Sequence, residues 1–242
     1  MGLFTKRYRA PGGEYYKLYM DMLHQKHLLI AGATGSGKSV VINGLIYTAL
    51  LSGPDKARFI LIDPKRVELV KYAKCPHTIA HVTEPAAIIE ALRGAVALID
   101  ARYKDMARRN EVLFSGHDIY VVIDELADLM TTSRKEVQPL LQRICQIGRA
   151  ARVHVIAATQ CPLVSVIPTA IKVNFDSVVA LHTASAQHSR NIMESTGCET
   201  LPPYGQGYYK TPSGTTLYNI PMYSQDQLNA LAGYWSSSRC RA

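Results

Sequence analysis

Apolar residues along this chain come in short, nearly unbroken runs. Residues 27–31 (HLLIA), 58–62 (RFILI), 119–123 (IYVVI), 153–158 (VHVIAA) and 177–182 (SVVALH) each hold one. Runs of that length, rich in Val, Ile and Leu, predict strands buried on both faces. Between them the apolar residues switch to helical spacing. Ile88, Ala91, Leu92, Ala95 and Ile99 mark one face of a helix over 85–110, opened by Glu84-Pro85. Further helices are predicted over 38–51 and 134–147, with shorter ones near 188–195 and 225–235. This alternation predicts an α/β fold with a mainly parallel central sheet and helices on both faces. The end of the chain differs. Residues 206–210 (QGYYK) and 215–220 (TTLYNI) flank a turn at Thr211 to Gly214 and read as a β-hairpin.

Residues 1–24 lack this periodicity and read as a poorly packed lead-in with a Pro11-Gly12-Gly13 turn. Residues 25–242 read as one domain, which suits the length of 242 residues. There is no internal repeat, low-complexity tract or linker. No apolar stretch reaches the roughly 20 residues a membrane span needs. The basic N-terminus lacks the apolar segment of a secretory signal, and Lys6 stands where a myristoylation motif requires Ser or Thr. The cysteines, Cys75, Cys145, Cys161, Cys198 and Cys240, are odd in number, scattered and without C-x-x-C spacing. That pattern leads us to expect a reducing cytoplasm and no zinc site. A net charge of +8 is compatible with a polyanionic partner, whether DNA, RNA or a membrane surface, without choosing among them. The basic run RYKDMARRN in the second half of helix 85–110 reads either as a solvated helix face or as a phosphate contact.

The candidate chemistry begins after the first strand. Gly32, Gly37, Lys38 and Ser39 fit the phosphate-loop pattern G-x-x-x-x-G-K-[ST], in the strand–loop–helix order that the chemistry requires. Main-chain N–H groups from Gly32, Ala33, Thr34, Gly35, Ser36, Gly37, Lys38, Ser39 and Val40 would wrap the phosphates at a helix N-terminus. Lys38 would neutralise the β- and γ-phosphates of ATP, and the Ser39 hydroxyl would ligate Mg²⁺. The strand at 119–123 ends in Asp124-Glu125, at the sheet edge where ligands gather in parallel folds. Asp124 is the candidate second Mg²⁺ ligand, through water, and Glu125 the candidate base for the attacking water. The spacing, with one more strand signal between the two motifs, suits a RecA-like ATPase. The strand at 153–158 finishes in Thr159-Gln160, whose amide is placed to sense a γ-phosphate.

A further segment, IDPKRVEL (62–69), brings in a resemblance. Together with HLLIAGATGSGKSVVIN, ALRGAVALIDARYKDM, VVIDELADLM, GRAARVHVIAATQCP and HSRNIMESTGCETL, it resembles the FtsK/SpoIIIE family of DNA-translocating ATPases over nearly all of residues 27–235. The resemblance implies that Lys38 and Ser39 bind ATP·Mg, that Asp124 and Glu125 coordinate and activate, and that Gln160 is the polar sensor. It implies that Arg149 reaches into a neighbouring subunit's site. An arginine supplied in trans stabilises transition-state charge and makes activity depend on a ring.

The expected protein is therefore a double-stranded DNA translocase subunit in a homo-oligomeric, hexameric ring. Its expected place is cytoplasmic, with a membrane-anchored partner neither required nor excluded. Candidate pore loops are 131–136 (TTSRKE), after the Asp-Glu strand, and 161–172 (CPLVSVIPTAIK), whose basic groups are Arg134, Lys135 and Lys172. The family's basic residue after Thr-Gln is Cys161 here, and a lysine of the chromosome-segregating members aligns with Ala186, leaving Arg190 as the candidate substitute. The family's membrane spans and winged-helix DNA reader have no counterpart in these residues, so the short form resembles accessory members on plasmids, phages or conjugative elements. Two rivals are a protein-secretion ATPase of the same family and a low-turnover assembly switch.

Overall fold

A computed structural model describes residues 13–25, 27–160, 163 and 166–237. Its strands are β1 (His27–Ala31), β2 (Ala57–Ile62), β3 (Thr78–Val82), β4 (Asp118–Ile123), β5 (Val153–Thr159), β6 (Ser177–Ala180), β7 (Gln206–Thr211) and β8 (Gly214–Asn219). They form one sheet in the order β3-β2-β4-β5-β1-β6-β7-β8. The first six pair in parallel, and the β7–β8 hairpin adds antiparallel to β6. The helices are α1 (Gly13–His24), α2 (Lys38–Ser52), α3 (Pro85–Arg109), α4 (Leu126–Thr132), α5 (Arg134–Ile147), α6 (Thr169–Lys172), α7 (Ala186–Met193) and α8 (Gln225–Ser236).

The apolar runs lie in the centre because both of their faces are covered. Leu28, Ile30, Phe59, Leu61, Tyr120, Val122 and Ile156 pack with α1, α2 and α8. Their chain neighbours Leu29, Ile60, Ile62, Val121, Ile123 and Val155 pack with α3, α4 and α5 on the other side. One residue of register slip would exchange these two sets, so burial on both faces fixes the alignment only together with the different helices that each face meets. β5 lies between β1 and β4, which puts the strand before Gln160 between the two motif strands.

Four readings change. The lead-in is not poorly packed over its second half: α1 docks on α2, with Tyr19, Met22 and Leu23 buried. Tyr19 Oη donates to the Pro221 carbonyl at 2.6 Å, and its ring fills the space beside Gly44, where a Cβ would come within 2.1 Å of it. Pro11 and Gly12 lie outside the described residues, and Gly13 opens the helix. The strand β3 carries too many polar residues, and is too open at the sheet edge, to read as an apolar run. Segment 131–136 is not a loop: only Ser133 separates α4 from α5. Thr131 and Thr132 bond back to the Ala127 and Asp128 carbonyls, at 2.9 and 2.8 Å, so polar residues that suggested a loop extend the helix instead. Finally, the basic run on α3 is not all solvated face, because Arg102 is buried.

Candidate nucleotide-binding site

The parallel strands deliver their C-terminal ends to one edge of the sheet, and the predicted site residues follow those ends. The loop after β1 needs its glycines for separate reasons. Gly35 and Gly37 have φ of 77° and 103°, the left-handed region that side chains disfavour. At Gly32 a Cβ would stand 2.5 Å from Ser36 Oγ and 2.8 Å from Leu181 Cβ. The loop closes on the start of α2, with Gly37 as its N-cap. Thr34, Gly35, Gly37, Lys38, Ser39 and Val40 line a cavity of about 460 Å³ with Asp124 and Gln160. Segments far apart in sequence thus meet across one space.

Lys38 is buried, and its Nζ donates to the Gly32 and Ala33 carbonyls at 2.9 and 2.8 Å. Burial lowers its pKa, against the opposing pull of Glu125. Glu125 caps α4 by accepting from Ala127 N at 3.4 Å, and it accepts from Gln160 N at 3.1 Å. The Gln160 side chain accepts from Thr34 Oγ1 at 2.6 Å, so the phosphate loop, the sensor and the candidate base form one chain of hydrogen bonds.

Three side chains from the loop after β2 join this site, and their roles were not assigned from sequence. Asp124 N donates to the Ile62 carbonyl at 3.1 Å, which brings segment 63–69 alongside. Lys65 Nζ lies 3.6 Å from Glu125 Oε2 and 3.7 Å from Asp128 Oδ2. Glu68 Oε1 accepts from Ser39 Oγ at 2.9 Å, and Asp63 is fully buried, holding Leu69 N at 2.9 Å. The signal was IDPKRVEL itself, which begins at the same strand edge as Asp124.

Burial and neighbouring charges act on Asp124. Burial, together with the charges of Asp63 and Glu68, pushes Asp124 up to about 6. That local excess of negative charge suits a divalent cation. A Ser hydroxyl and one carboxylate, completed by phosphate oxygens and water, is the donor set Mg²⁺ takes with nucleotides. The residues present therefore fit Mg²⁺. Among the described residues no group of three His, Cys, Asp or Glu side chains could hold a metal by itself.

Other expected residues lie elsewhere. Arg149 sits in the turn between α5 and β5, at the opposite edge of the sheet, and is exposed. Seven strand residues separate that edge from Gln160, on the order of 20 Å at ~3.3 Å per residue. Ala186 opens α7 and does not line the cavity. Arg190 lines a separate cavity of about 430 Å³ with Lys172 and Lys210. Lys172 Nζ donates to the Asn191 carbonyl at 2.7 Å, and Arg134 and Lys135 are exposed on the first turn of α5. Cys161 and much of segment 161–165 lie outside the described residues.

A family model described as "FtsK/SpoIIIE family" matches residues 12–116 and 111–164. The chain belongs to the FtsK/SpoIIIE family. A DNA translocase FtsK of Leptospira interrogans is 37% identical over 233 residues, covering 88% of this chain and 25% of that protein. The chain thus spans about a quarter of that relative's length. Among solved structures, the pCW3 conjugation coupling protein TcpA, in its monomer form with ATPγS, aligns with TM-score 0.78 at 22% identity, covering 88% of this chain and 66% of that one. The cytoplasmic domain of the Thermomonospora curvata type VII secretion ATPase EccC aligns with TM-score 0.73 at 20% identity, over 88% of this chain and 28% of that one. Both likenesses establish the RecA-like P-loop ATPase fold, which the FtsK/SpoIIIE sequence match shares. No helix among the described residues is long and apolar enough to cross a membrane.

Proposed function

We propose that this FtsK/SpoIIIE-family chain is an ATP-hydrolysing motor core that moves double-stranded DNA as a head-to-tail ring. The observation that carries the reading is the split site. Phosphate-loop, base and sensor residues share one sheet edge, while the exposed Arg149 stands at the other. A subunit so built is complemented by a copy whose Arg149 edge faces its cavity. A heterologous contact of that kind closes into a ring or runs on as a filament. The family's rings are hexameric by resemblance, and six copies are our expectation here.

In hydrolysis Lys38 exchanges its two carbonyl partners for β- and γ-phosphate oxygens, and the loop N–H groups hold the rest. Ser39 and Asp124 are the residues that would hold Mg²⁺, which would neutralise charge on the phosphates. Glu125 orients the attacking water and accepts its proton as the new oxygen–phosphorus bond forms and the β–γ bridge breaks. Arg149 of the adjacent subunit stabilises the charge that develops. Gln160, tied to both Thr34 and Glu125, passes the change of phosphate state to the segment that follows β5.

The DNA substrate is supported by the likeness to DNA translocases FtsK, and the net charge of +8 is compatible with it. The likeness to TcpA, a conjugation coupling protein, supports service to a mobile element. We place the chain in the cytoplasm, with room for a membrane-anchored partner. ATP hydrolysis measured with and without linear double-stranded DNA, at low and moderate salt, tests the proposal. We expect strong stimulation that fades as salt rises. Hydrolysis indifferent to DNA overturns the DNA reading and favours a polypeptide substrate. Absence of hydrolysis at every protein concentration overturns the motor reading in favour of an assembly switch.

A further inference from the structure

The Arg102-Tyr103 pair on α3 is not used by the mechanism above, yet both side chains end on the backbone that carries Arg149. Arg102 Nη1 donates to the Ala151 carbonyl at 2.7 Å, to His117 at 3.1 Å and to Arg152 at 3.3 Å. Tyr103 Oη donates to the Ile147 carbonyl at 3.0 Å. Phe114 adds its N–H to the Ala150 carbonyl at 2.9 Å, and its ring lies 4.2 Å from the Arg102 guanidinium carbon.

The turn closes the remaining bonds itself. Arg152 N donates to the Arg149 carbonyl and Val153 N to the Gly148 carbonyl, at 3.1 and 2.9 Å. Every main-chain carbonyl from Ile147 to Arg152 therefore has a donor. Gly148 can take no side chain, because a Cβ would stand 2.4 Å from the Val153 carbonyl oxygen and 2.5 Å from that of Ile144. The Arg149 side chain is the exception. It is exposed and, among the described residues, makes no hydrogen bond or ion pair. A fully tied backbone thus presents one guanidinium outward.

We infer that Arg102 and Tyr103 are positioning residues for trans hydrolysis: they clamp the α5–β5 turn so that Arg149 meets the neighbouring subunit's γ-phosphate in fixed geometry. The inference rests on the trans role of Arg149 proposed above. Arg102 is only 5% exposed, and a lysine lacks the planar guanidinium that lies over the Phe114 ring. Tyr103 is 37% exposed, so loss of its hydroxyl leaves the core intact. Preorganisation of this kind acts on the chemical step rather than on nucleotide affinity.

The test is a double-mutant cycle on the full chain with linear double-stranded DNA. ATP turnover is measured for Arg102→Lys, Tyr103→Phe and Arg149→Ala, then for each clamp variant combined with Arg149→Ala. We expect kcat to fall about tenfold for Arg102→Lys and severalfold for Tyr103→Phe, with KM and binding of a fluorescent ATP analogue unchanged. In the Arg149→Ala background neither clamp change should lower kcat further. Equal losses in both backgrounds, or losses in nucleotide affinity, overturn the clamp and leave the pair a support of the fold. Should Arg102→Lys fail to fold, Tyr103→Phe decides alone. If Arg149→Ala itself turns over like the unaltered chain, the trans reading fails first, and the clamp falls with it.

Discussion

The main-chain N–H of Gln160 donates to the Glu125 carboxylate at 3.1 Å, joining the ends of β5 and β4. The same residue's side chain holds Thr34 at 2.6 Å. A residue bonded to both the phosphate loop and the candidate base cannot move without disturbing one of them. We therefore expect nucleotide binding to disturb the Gln160 contacts first.

Glu125→Gln keeps an acceptor for Ala127 N and Gln160 N but removes the base. We expect kcat to fall by about 10²–10⁴, the usual share of general-base catalysis, with ATP affinity retained. Steady-state turnover and equilibrium binding of an ATP analogue check it. Turnover within a factor of two of the unaltered chain takes Glu125 out of the chemistry.

Lys38→Ala removes a cation that the fold holds ready on two loop carbonyls. Charge-assisted hydrogen bonds to phosphate contribute about 1.5–3 kcal/mol each, so nucleotide affinity should weaken by roughly 10–100-fold. Titration of a fluorescent ATP analogue measures this, and thermal unfolding of the nucleotide-free protein should change little. An unchanged affinity would mean that the phosphates lie elsewhere.

What could be seen in the chain before its structure depended on how local the cause was. The five parallel strands with apolar runs were legible because burial on both faces removes polar alternation. β3 was not, because an edge strand with Thr78 and His81 tolerates water. The phosphate loop is written in consecutive residues. Lys65 and Glu68 reach the site only because β2 pairs with β4, Ile62 beside Ile123, and that pairing is not in any short segment. The helix α1 was missed for the same reason, since Tyr19 is satisfied by Gly44 and Pro221, distant in sequence. Arg149 was a candidate through the family resemblance alone, and its separation from the cavity needed the sheet.

The α1 contact gives a stability prediction. Gly44→Ala places a methyl where the Tyr19 ring lies, within 2.1 Å of it. Overpacking of a filled core typically costs about 1–3 kcal/mol. Tyr19→Phe leaves the Pro221 carbonyl without its donor at a buried site, for a loss of about 1 kcal/mol or more. Urea unfolding with both variants checks this. If neither shifts the midpoint, α1 contributes nothing to the domain.

Acid should weaken the fold through His27. This residue is 2% exposed at the start of β1, and its Nδ1 accepts from Val155 N at 3.0 Å, so the ring is held neutral. Burial, with His154 nearby as a second contribution, lowers its pKa to about 4 from 6.5. The unfolded chain takes up a proton below about 6.5, whereas the folded one does so only near 4. The stabilisation is therefore present above the unfolded value and is lost as pH falls from 6.5 towards 4, by on the order of 3 kcal/mol in full. His27→Gln retains an acceptor for Val155 N without titrating. Thermal unfolding between pH 7.5 and 4.5 should show a shallower acid decline for that variant than for the unaltered chain, and parallel declines would place the acid sensitivity in other groups.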